Sequence, residues 1–406
     1  MTQDADPDLP VIETNNDAFY LDPNAPFAAC SQRPPLAKSE YGTEVLSYDL
    51  VRDSFYDRRM TPRTVEYFEK LGASDLIVEF IREGNLNFMA PDKHDRIRAI
   101  VSKAFTRPRV EGFRPQMRRI ANELVEAFID HGQCDLVADV CHIYPISVFA
   151  QFMGVPASDV LLFADATVQL RMLGQSPFAP GMPALERALT FLYDYITGLV
   201  ARRRAEPDDD FVGALIALQA AGEKLSEQEL IWGLVFLMLG GHDTTRFTLA
   251  SAFHSLIAAG LWEEMARDPA RVPEAITESM RICPGTPRQM RLVAEPFELA
   301  GHRFEKGEVV SLNLNAAGRD RAVFEAADQF RLGRDDPAYL VGFGMGRHVC
   351  LGQLLARVEM EEAVAVVTAR LAQVEIVGPC RLKPTGVIAG YDSVPVRFVA
   401  RAAPGV

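Results

Sequence analysis

The sequence predicts a single, mainly α-helical domain with small β-sheets attached and one long helix crossing its core. Three observations carry that expectation. From about Glu66 to Arg203 apolar residues recur at helical spacing, as in "RIRAIVSKAF", "MRRIANELVEAFI" and "ALTFLYDYITGLVARRRA". In "LSEQELIW", Ser226 and Glu229 form an S-x-x-E capping box, and no proline follows before Gly260. Between residues 290 and 315 the pattern turns to alternation broken by glycines, the mark of short strands.

In chain order, residues 1–40 read as an irregular lead-in rich in Pro, Asn and Asp, and 41–406 as the domain proper. A strand near Thr43–Leu46 precedes a first helix in "SYDLVRDSFYD". "GQSPFAPGMP" must be a loop. The helix capped by Ser226 should run about 30 residues at 1.5 Å each, roughly the width of a domain. It is apolar on nearly all sides, so it belongs in the core. A further helix starts at the N1-type Pro273 and ends near Ile282. Strands follow in "RLVAEPFELAGHRFEKGEVVSLNL", then an irregular stretch to Val341 and a helix in "QLLARVEMEEAVAVVTARL". "GVIAGYDSVPVRFVA" reads as a terminal β-hairpin.

Composition excludes several classes. Over 406 residues the net charge is −13, against general nucleic-acid binding, which needs a basic footprint. The six cysteines show no CxxC pair and no disulfide spacing, which fits a reduced, cytoplasmic compartment. "MTQDADPDLP" is acidic and polar, unlike a signal peptide. The longest nearly apolar run, "IWGLVFLMLGG", is too short to span a bilayer, so no membrane association is expected.

The stretch with chemistry in it is "FGMGRHVCLG", Phe343 to Gly352, at the start of the last long helix. A dinucleotide loop would need glycine where Val349 stands. A zinc site would need about four ligands, and only Cys350 and His348 lie close together. An activated nucleophile and an inert buried thiol both stay open. The details favour a ligand. Glycines let the backbone approach something flat or turn tightly. Amides after Cys350 would point at its sulfur and stabilise a thiolate. Phe343 would cover one side, and Arg347 and His348 are suited to carboxylates. A shielded thiolate beside carboxylate-binding groups is what a haem iron ligand requires.

"FGMGRHVCLG" resembles the haem-binding signature of the cytochromes P450, Phe-Gly-x-Gly-x-His/Arg-x-Cys-x-Gly, at every fixed position. "GGHDTT", Gly240 to Thr245, resembles the family's oxygen-binding segment (Ala/Gly)-Gly-x-(Asp/Glu)-Thr-(Thr/Ser). There Thr244 can bond to the Gly240 carbonyl four residues back, and Asp243 is a carboxylate within an apolar helix. "ESMR" matches Glu-x-x-Arg. Glu278 and Arg281 share a helix face, and Arg334 is the matching third member of a structural set. "HDRIRAIVSKAF" resembles His-x-x-x-Arg followed by Phe. The likeness spans residues 40–400. It departs at Gly318, where Asn is common, and at Leu340, where His is common.

The resemblance implies a haem-thiolate monooxygenase of the soluble bacterial type, carrying haem b and using O₂. Cys350 would bind the iron. His94, Arg98, Arg291 and His348 would hold the propionates, and Gly240, Phe343 and Gly352 would border the ring. Asp243 would relay protons from solvent, and Thr244 would position or stabilise the bound oxygen and its water. Phe236 and Leu239, placed before Asp243 near its face, would line the substrate pocket with Pro287, Val387 and Ile388. "LRMLGQSPFAPG" and the region 67–88 would form a lid. The lining is apolar, so the substrate should be mainly hydrophobic, and hydroxylation is the expected reaction. The other histidines, His242 among them, read as ordinary polar residues. Between Lys93 and Arg119 nine Lys and Arg face only Asp95 and Glu111 in sequence. That local positive patch suits an acidic electron donor. The resemblance names it as a [2Fe–2S] ferredoxin with an NAD(P)H-dependent reductase, serving a monomeric enzyme. An H₂O₂-driven peroxygenase or a haem sensor or carrier would keep the fold, but the Asp243–Thr244 pair counts against both.

Overall fold

The structure is a computed structural model that describes residues 9–13, 16, 35–174, 178–335, 340–385 and 387–401. Cys30 and part of the expected lid loop lie outside the described residues. The first strand begins inside the expected lead-in. β1 (Leu36–Ser39) turns at Gly42, whose φ is +106°, into β2 (Gly42–Val45), followed by α1 (Tyr48–Ser54) and β3 (Met60–Thr61). A side chain at Gly42 would fall on the Val309 carbonyl as well as being strained.

The helical body comes next: α2 (Val65–Lys70), α3 (Asp75–Glu83), α4 (Pro91–Ser102), α5 (Arg107–Gly112) and α6 (Arg114–Glu126). A short β4 (Gln133–Asp135) and a π-helical turn, Val137–Cys141, lead to α7 (Tyr144–Met153), α8 (Val160–Leu170), α9 (Met182–Ala205) and α10 (Phe211–Ala220). The stretch Leu136–Met153 is the one helical segment among the described residues apolar and long enough to cross a membrane, and it is 72% buried inside the fold.

The long helix is α11 (Glu227–Ala258), 32 residues, or about 48 Å. Both halves of its capping box are made. Ser226 Oγ accepts from Glu229 N at 3.1 Å, and the Glu229 carboxylate accepts from Ser226 N at 3.0 Å. Its buried residues fall on all sides, from Trp232 and Val235 to Phe247 and Phe253. It packs against α7, α8 and α9, and against the later helices Val272–Ile282 and Gln353–Arg370.

The remainder is α12 (Trp262–Arg267), α13 (Val272–Ile282), β5 (Arg288–Val293), β6 (Phe297–Leu299), β7 (His302–Phe304), β8 (Val309–Asn313), α14 (Leu314–Ala317), α15 (Gln353–Arg370), β9 (Leu371–Ile376), β10 (Leu382–Thr385), β11 (Ile388–Tyr391) and β12 (Pro395–Ala400). The largest sheet has the order β1-β2-β8-β5-β3, with β2 and β8 parallel and the other pairs antiparallel. The expected hairpin over 386–400 does not form. β11 pairs back with β10, whereas β12 joins β4 and β9 in another sheet. Asp135 causes the divergence, accepting from Ser393 Oγ at 2.5 Å and Val394 N at 3.0 Å and pulling the chain across between the two strands.

Candidate active site

A cavity of about 230 Å³, partly open to solvent, lies between α11 and the start of α15. One wall is a single face of α11: Phe236, Leu237, Gly240, Gly241, Thr244, Thr245 and Thr248. Those positions recur at the 3.6-residue period of one helix side. The facing wall is Phe343, His348 to Gly352, Leu355, Ala356 and Glu359. His94 and Arg98 of α4 close one end, with Leu86 and Asn87. Gly285, Thr286 and Gln289, at the head of β5, contribute from the other side.

The cysteine loop is built by two glycines and one backbone bond. Gly344 and Gly346 have φ of +68° and +65°, which other residues rarely adopt. Gly346 also sits against the Phe55 carbonyl and the Tyr56 ring. Cys350 N donates to Phe343 O at 2.8 Å, closing the loop and presenting the thiol to the cavity. Arg98 Nη2 clamps the loop by donating to Val349 O at 2.6 Å. Burial pushes the Cys350 thiol up, with the Gly352 N–H and the charge of Arg98 pulling the other way. The Gly352 amide thus works in the direction the sequence suggests, and a bound metal would deprotonate the thiol outright.

Cationic groups crowd the end beside this loop. The rings of His94 and His348 lie 4.5 Å apart. Burial, then the charges of His94, Arg291, Arg98 and Arg347, push the His348 pKa down to about 3. Burial also lowers His94, whose Nδ1 meets Asp95 at 2.9 Å while its Nε2 is buried without a partner. Arg291 is 6% exposed and donates only to a neighbouring carbonyl, Met290 O, at 2.9 Å; burial brings its pKa down to about 10. Four basic side chains thus converge with one half-exposed carboxylate, Asp95, among them. The two guanidinium charges, Arg98 and Arg291, are costly under burial unless an anion joins them, and such an anion would also favour protons on the two imidazoles. A planar ligand with carboxylates at this end and a metal at Cys350 fits the donor set. Gly240 adds to the fit, because its missing Cβ leaves only open space on the cavity wall.

On α11, Thr244 Oγ1 donates to Gly240 O at 2.8 Å, as its spacing predicts. The helix is tightly held there. A side chain at Gly241 would strike the Phe149 ring, and one at Gly285 the Thr244 carbonyl. Asp243 is 1% exposed and lies off the cavity face. Arg246 approaches its Oδ1 at 3.4 Å, and its Oδ2 is buried with no partner. His242, beside it, is fully buried rather than an ordinary polar residue.

Glu278, Arg281 and Arg334 do come together. Arg281 donates to both Glu278 oxygens at 2.7 and 2.8 Å, and Arg334 Nε reaches Oε1 at 2.8 Å. Of the five expected pocket residues, Phe236 lines the cavity and four do not. Leu239 shares its phase with Asp243, and that phase faces away. Pro287 turns its carbonyl to Leu314 N at 2.9 Å, leaving Thr286 and Gln289 at the wall. Val387 and Ile388 belong to the β10–β11 hairpin, which packs on α11 at Phe247, past the main cavity face. Sequence reasoning missed Glu359, a 2%-exposed carboxyl at the cavity wall. Burial raises its pKa well above the usual range against a hydrogen bond from Thr245. Its signal was an acid between Val358 and Met360 on an otherwise buried helix face.

The basic segment 93–119 is not the bare positive surface the sequence suggests. Lys93 and Arg96 meet Glu229, Lys103 meets Glu223, and Arg109 meets Asp209. Arg107 meets Glu111, Arg114 and Arg118 share Glu362, and Arg119 meets Glu123. Most of these acids arrive from elements distant in sequence.

Known proteins agree with this geometry. Residues 272–370 match the family model described as cytochrome P450. The chain is 31% identical over 408 residues to cytochrome P450 107B1 of Saccharopolyspora erythraea, covering 96% of this chain and 98% of that one. It is 32% identical to the cyclomarin C epoxidase of Salinispora arenicola over 78% of this chain and 80% of the relative. The mycinamicin IV hydroxylase/epoxidase of Micromonospora griseorubida is 35% identical, over 72% and 74%. Among solved structures, the crystal structure of CalO2 superposes with a TM-score of 0.88 at 23% identity over 96% of this chain and 99% of that one. CxnD, a P450 enzyme for C–S bond formation in chuangxinmycin biosynthesis, reaches 0.83 at 29% identity, over 96% and 98%. With the cysteine loop, the buried cations and the glycine-threonine face of α11 in the places described, the chain belongs to the cytochrome P450 family and is a monooxygenase of the bacterial type.

Proposed function

We propose that this monooxygenase hydroxylates a mainly hydrophobic small molecule, with haem b held by Cys350 and electrons delivered by a [2Fe–2S] ferredoxin and its NAD(P)H-dependent reductase. One observation carries the reading. Cys350, His94, Arg98 and His348 open onto the same cavity region that Thr244 faces from α11, and Arg291 lies near enough for its charge to act on His348. Cys350 would be the metal ligand, and the four basic side chains would take the two propionates. Gly240, Phe343 and Gly352 would lie against the ring.

When bound, haem supplies the oxygen-activating and C–H-oxidising chemistry, which a thiolate ligand favours. The protein does the rest. The Thr244 hydroxyl, tied to Gly240 O, is held at the cavity face where a proton must be handed over. Asp243, one residue away and buried with a free oxygen, would bring protons from the Arg246 side. Phe236, Leu237 and Phe149 keep water out of the substrate space, and Asn87, Thr286 and Gln289 give it a few polar contacts. Members of the family need redox partners. Docking is assigned to the face carrying segment 93–119, where Arg107 and Arg118 are 73% and 61% exposed despite their ion pairs. The enzyme would work as a cytoplasmic monomer.

The test is spectroscopic first. The reduced, CO-bound protein should show the red-shifted Soret band of a thiolate-ligated haem, and Cys350→His should lose it. Product formation should then need NADH or NADPH, reductase and ferredoxin. Turnover with H₂O₂ far above turnover with the donor chain would replace this reading with the peroxygenase one.

A further inference from the structure

Among the described residues six arginines are buried: Arg63, Arg281, Arg288, Arg291, Arg319 and Arg370. Three have carboxylates, Arg281 on Glu278, Arg288 on Glu44 and Arg370 on Glu126. Arg319 donates to Asn315 and to the Ile282 carbonyl. Arg291 belongs to the cation cluster and still has a carbonyl. Arg63 is the exception. It is 8% exposed, no carboxylate or hydrogen-bond acceptor meets its guanidinium, and its Nε is buried without a partner. Its one close neighbour of note is the Tyr67 ring, 5.1 Å from the guanidinium carbon. Its terminal nitrogens keep only a narrow contact with water, and largely removing a charge from water with no protein group to answer it is costly in a fold. A retained group of that kind points to a counter-charge that arrives with a ligand.

The surroundings place that ligand. Arg63 follows β3, whose Thr61 pairs with Leu292 of β5; the same strand reaches the cavity at Gln289. A line of rings leads the same way. Tyr67 contacts Phe68 at 5.4 Å, and Phe68 contacts Phe88 at 4.9 Å and Phe178 at 5.8 Å. Phe88 adjoins Leu86 and Asn87, which line the cavity. A roof of touching rings thus links Arg63 to the residues next to Leu86 and Asn87 at the cavity wall. Arg63 is also separate from the propionate-binding set. The charges acting on His348 are those of His94, Arg291, Arg98 and Arg347, and Arg63 is not among them.

We propose that Arg63 binds a carboxylate of the substrate, so that the substrate class is an elongated hydrophobic carboxylic acid oxidised at the end remote from its acid group. The inference rests on the haem-cavity reading above and deepens it. The acid pairs with the guanidinium beneath the roof, and the apolar body runs along Tyr67, Phe68 and Phe88 into the cavity beside Thr244. The three residue steps from Gln289 to Leu292 span about 10 Å. The acid and the oxidised carbon should be at least about that far apart.

The test uses the ferric holoprotein and a series of n-alkanoic acids of eight to sixteen carbons with the matching n-alkanols. Binding is read from the Soret shift and, separately, by calorimetry. The best acid should bind about tenfold to a hundredfold more tightly than its alcohol, the range of a charge-assisted hydrogen bond. Arg63→Met should remove that preference while leaving alcohol binding within about twofold, and Arg63→Lys should restore part of it. Arg63→Met should also melt no lower than wild type, because an unanswered buried charge has been removed. If no acid in the series out-binds its alcohol, or if Arg63→Met keeps the preference, the proposal is overturned. Loss of haem from Arg63→Met would assign the anion to a propionate instead and overturn it too. The CO-bound spectrum of the same preparations reports on the haem-thiolate reading alone, so the two failures are told apart.

Discussion

Thr167 Oγ1 and His242 Nδ1 stand 2.8 Å apart, joining α8 to the middle of α11. The other ring nitrogen of His242 lies 3.0 Å from the His142 carbonyl, at the junction between the π-helical turn and α7. A carbonyl only accepts, so Nε2 carries the proton and, in the neutral ring, Nδ1 accepts from the threonine hydroxyl. Burial keeps the ring neutral, its pKa pushed down to about 4. The residue beside Asp243 thus connects α8 and the end of the π-helical turn through one imidazole.

That neutral ring sets a pH dependence. An unfolded histidine takes up its proton near pH 6.5, whereas this one resists until about 4. Between those values the unfolded chain binds the proton and the native chain does not. Stability should therefore fall as pH drops from about 6.5 to 4, then level off for this group, with a full loss on the order of 3 kcal/mol. Denaturant titrations at pH 7 and pH 4.5 should show a smaller loss for His242→Gln than for wild type. Equal losses would refute the assignment.

Asp243 and Thr244 should separate in their effects. Asp243→Asn removes the buried acid and should slow product formation roughly a hundredfold. Thr244→Ala removes the hydroxyl tied to Gly240 while leaving the acid, so NAD(P)H should still be consumed. More of the oxygen should then leave as peroxide or water, and product per NAD(P)H should fall several-fold. Product and peroxide measured in one assay decide it; unchanged coupling in Thr244→Ala would show the hydroxyl has no part.

Glu278→Ala should be strongly destabilising. Arg281 is 2% exposed, and Arg334 shares the same carboxylate. Without it the Arg281 guanidinium keeps only backbone carbonyls, those of Gly318, Ala327 and Gln329, as acceptors. A cost of about 3–5 kcal/mol is expected, read as a lower denaturation midpoint at unchanged slope.

Gly285→Ala tests how firmly the substrate side is pressed onto α11. The added methyl would fall on the Thr244 carbonyl and crowd Thr248 Oγ1, which accepts from Gly285 N at 3.0 Å. Overpacking of that kind costs about 1–3 kcal/mol. The melting temperature should drop, and coupling should fall with it because Thr244 moves. An unchanged enzyme would mean the loop yields freely there.

Signals confined to a few residues were readable before the fold was known. The Ser226–Glu229 box, the Thr244–Gly240 bond and the Glu278–Arg281 pair each depend on a spacing of three or four, and each is present. What depended on partners far along the chain was not readable. Alternation in "GVIAGYDSVPVRFVA" marked strands but could not say that β12 lies between β4 and β9. Counting turns from Asp243 put Leu239 in the pocket, because it assumed that the acid faces the cavity. The basic segment looked unopposed because Glu223, Glu229, Glu361 and Glu362 are far from it in sequence. Arg63 carried no local mark at all; its isolation exists only in three dimensions.

The main sheet imposes an order of assembly. Its strand β2 holds Glu44, whose carboxylate accepts from Ser311 across a sequence separation of 267 residues, and from Arg288 and Asn313. At the pace of a ribosome, about 5–20 residues per second, that acid waits roughly 15–50 s for its partners to be made. The wall that carries Gln289 has no finished sheet behind it until then, and Cys350 emerges later still. The catalytic chamber is thus closed only by nearly the whole chain: a nascent fragment can fold helices but cannot yet retain a cofactor.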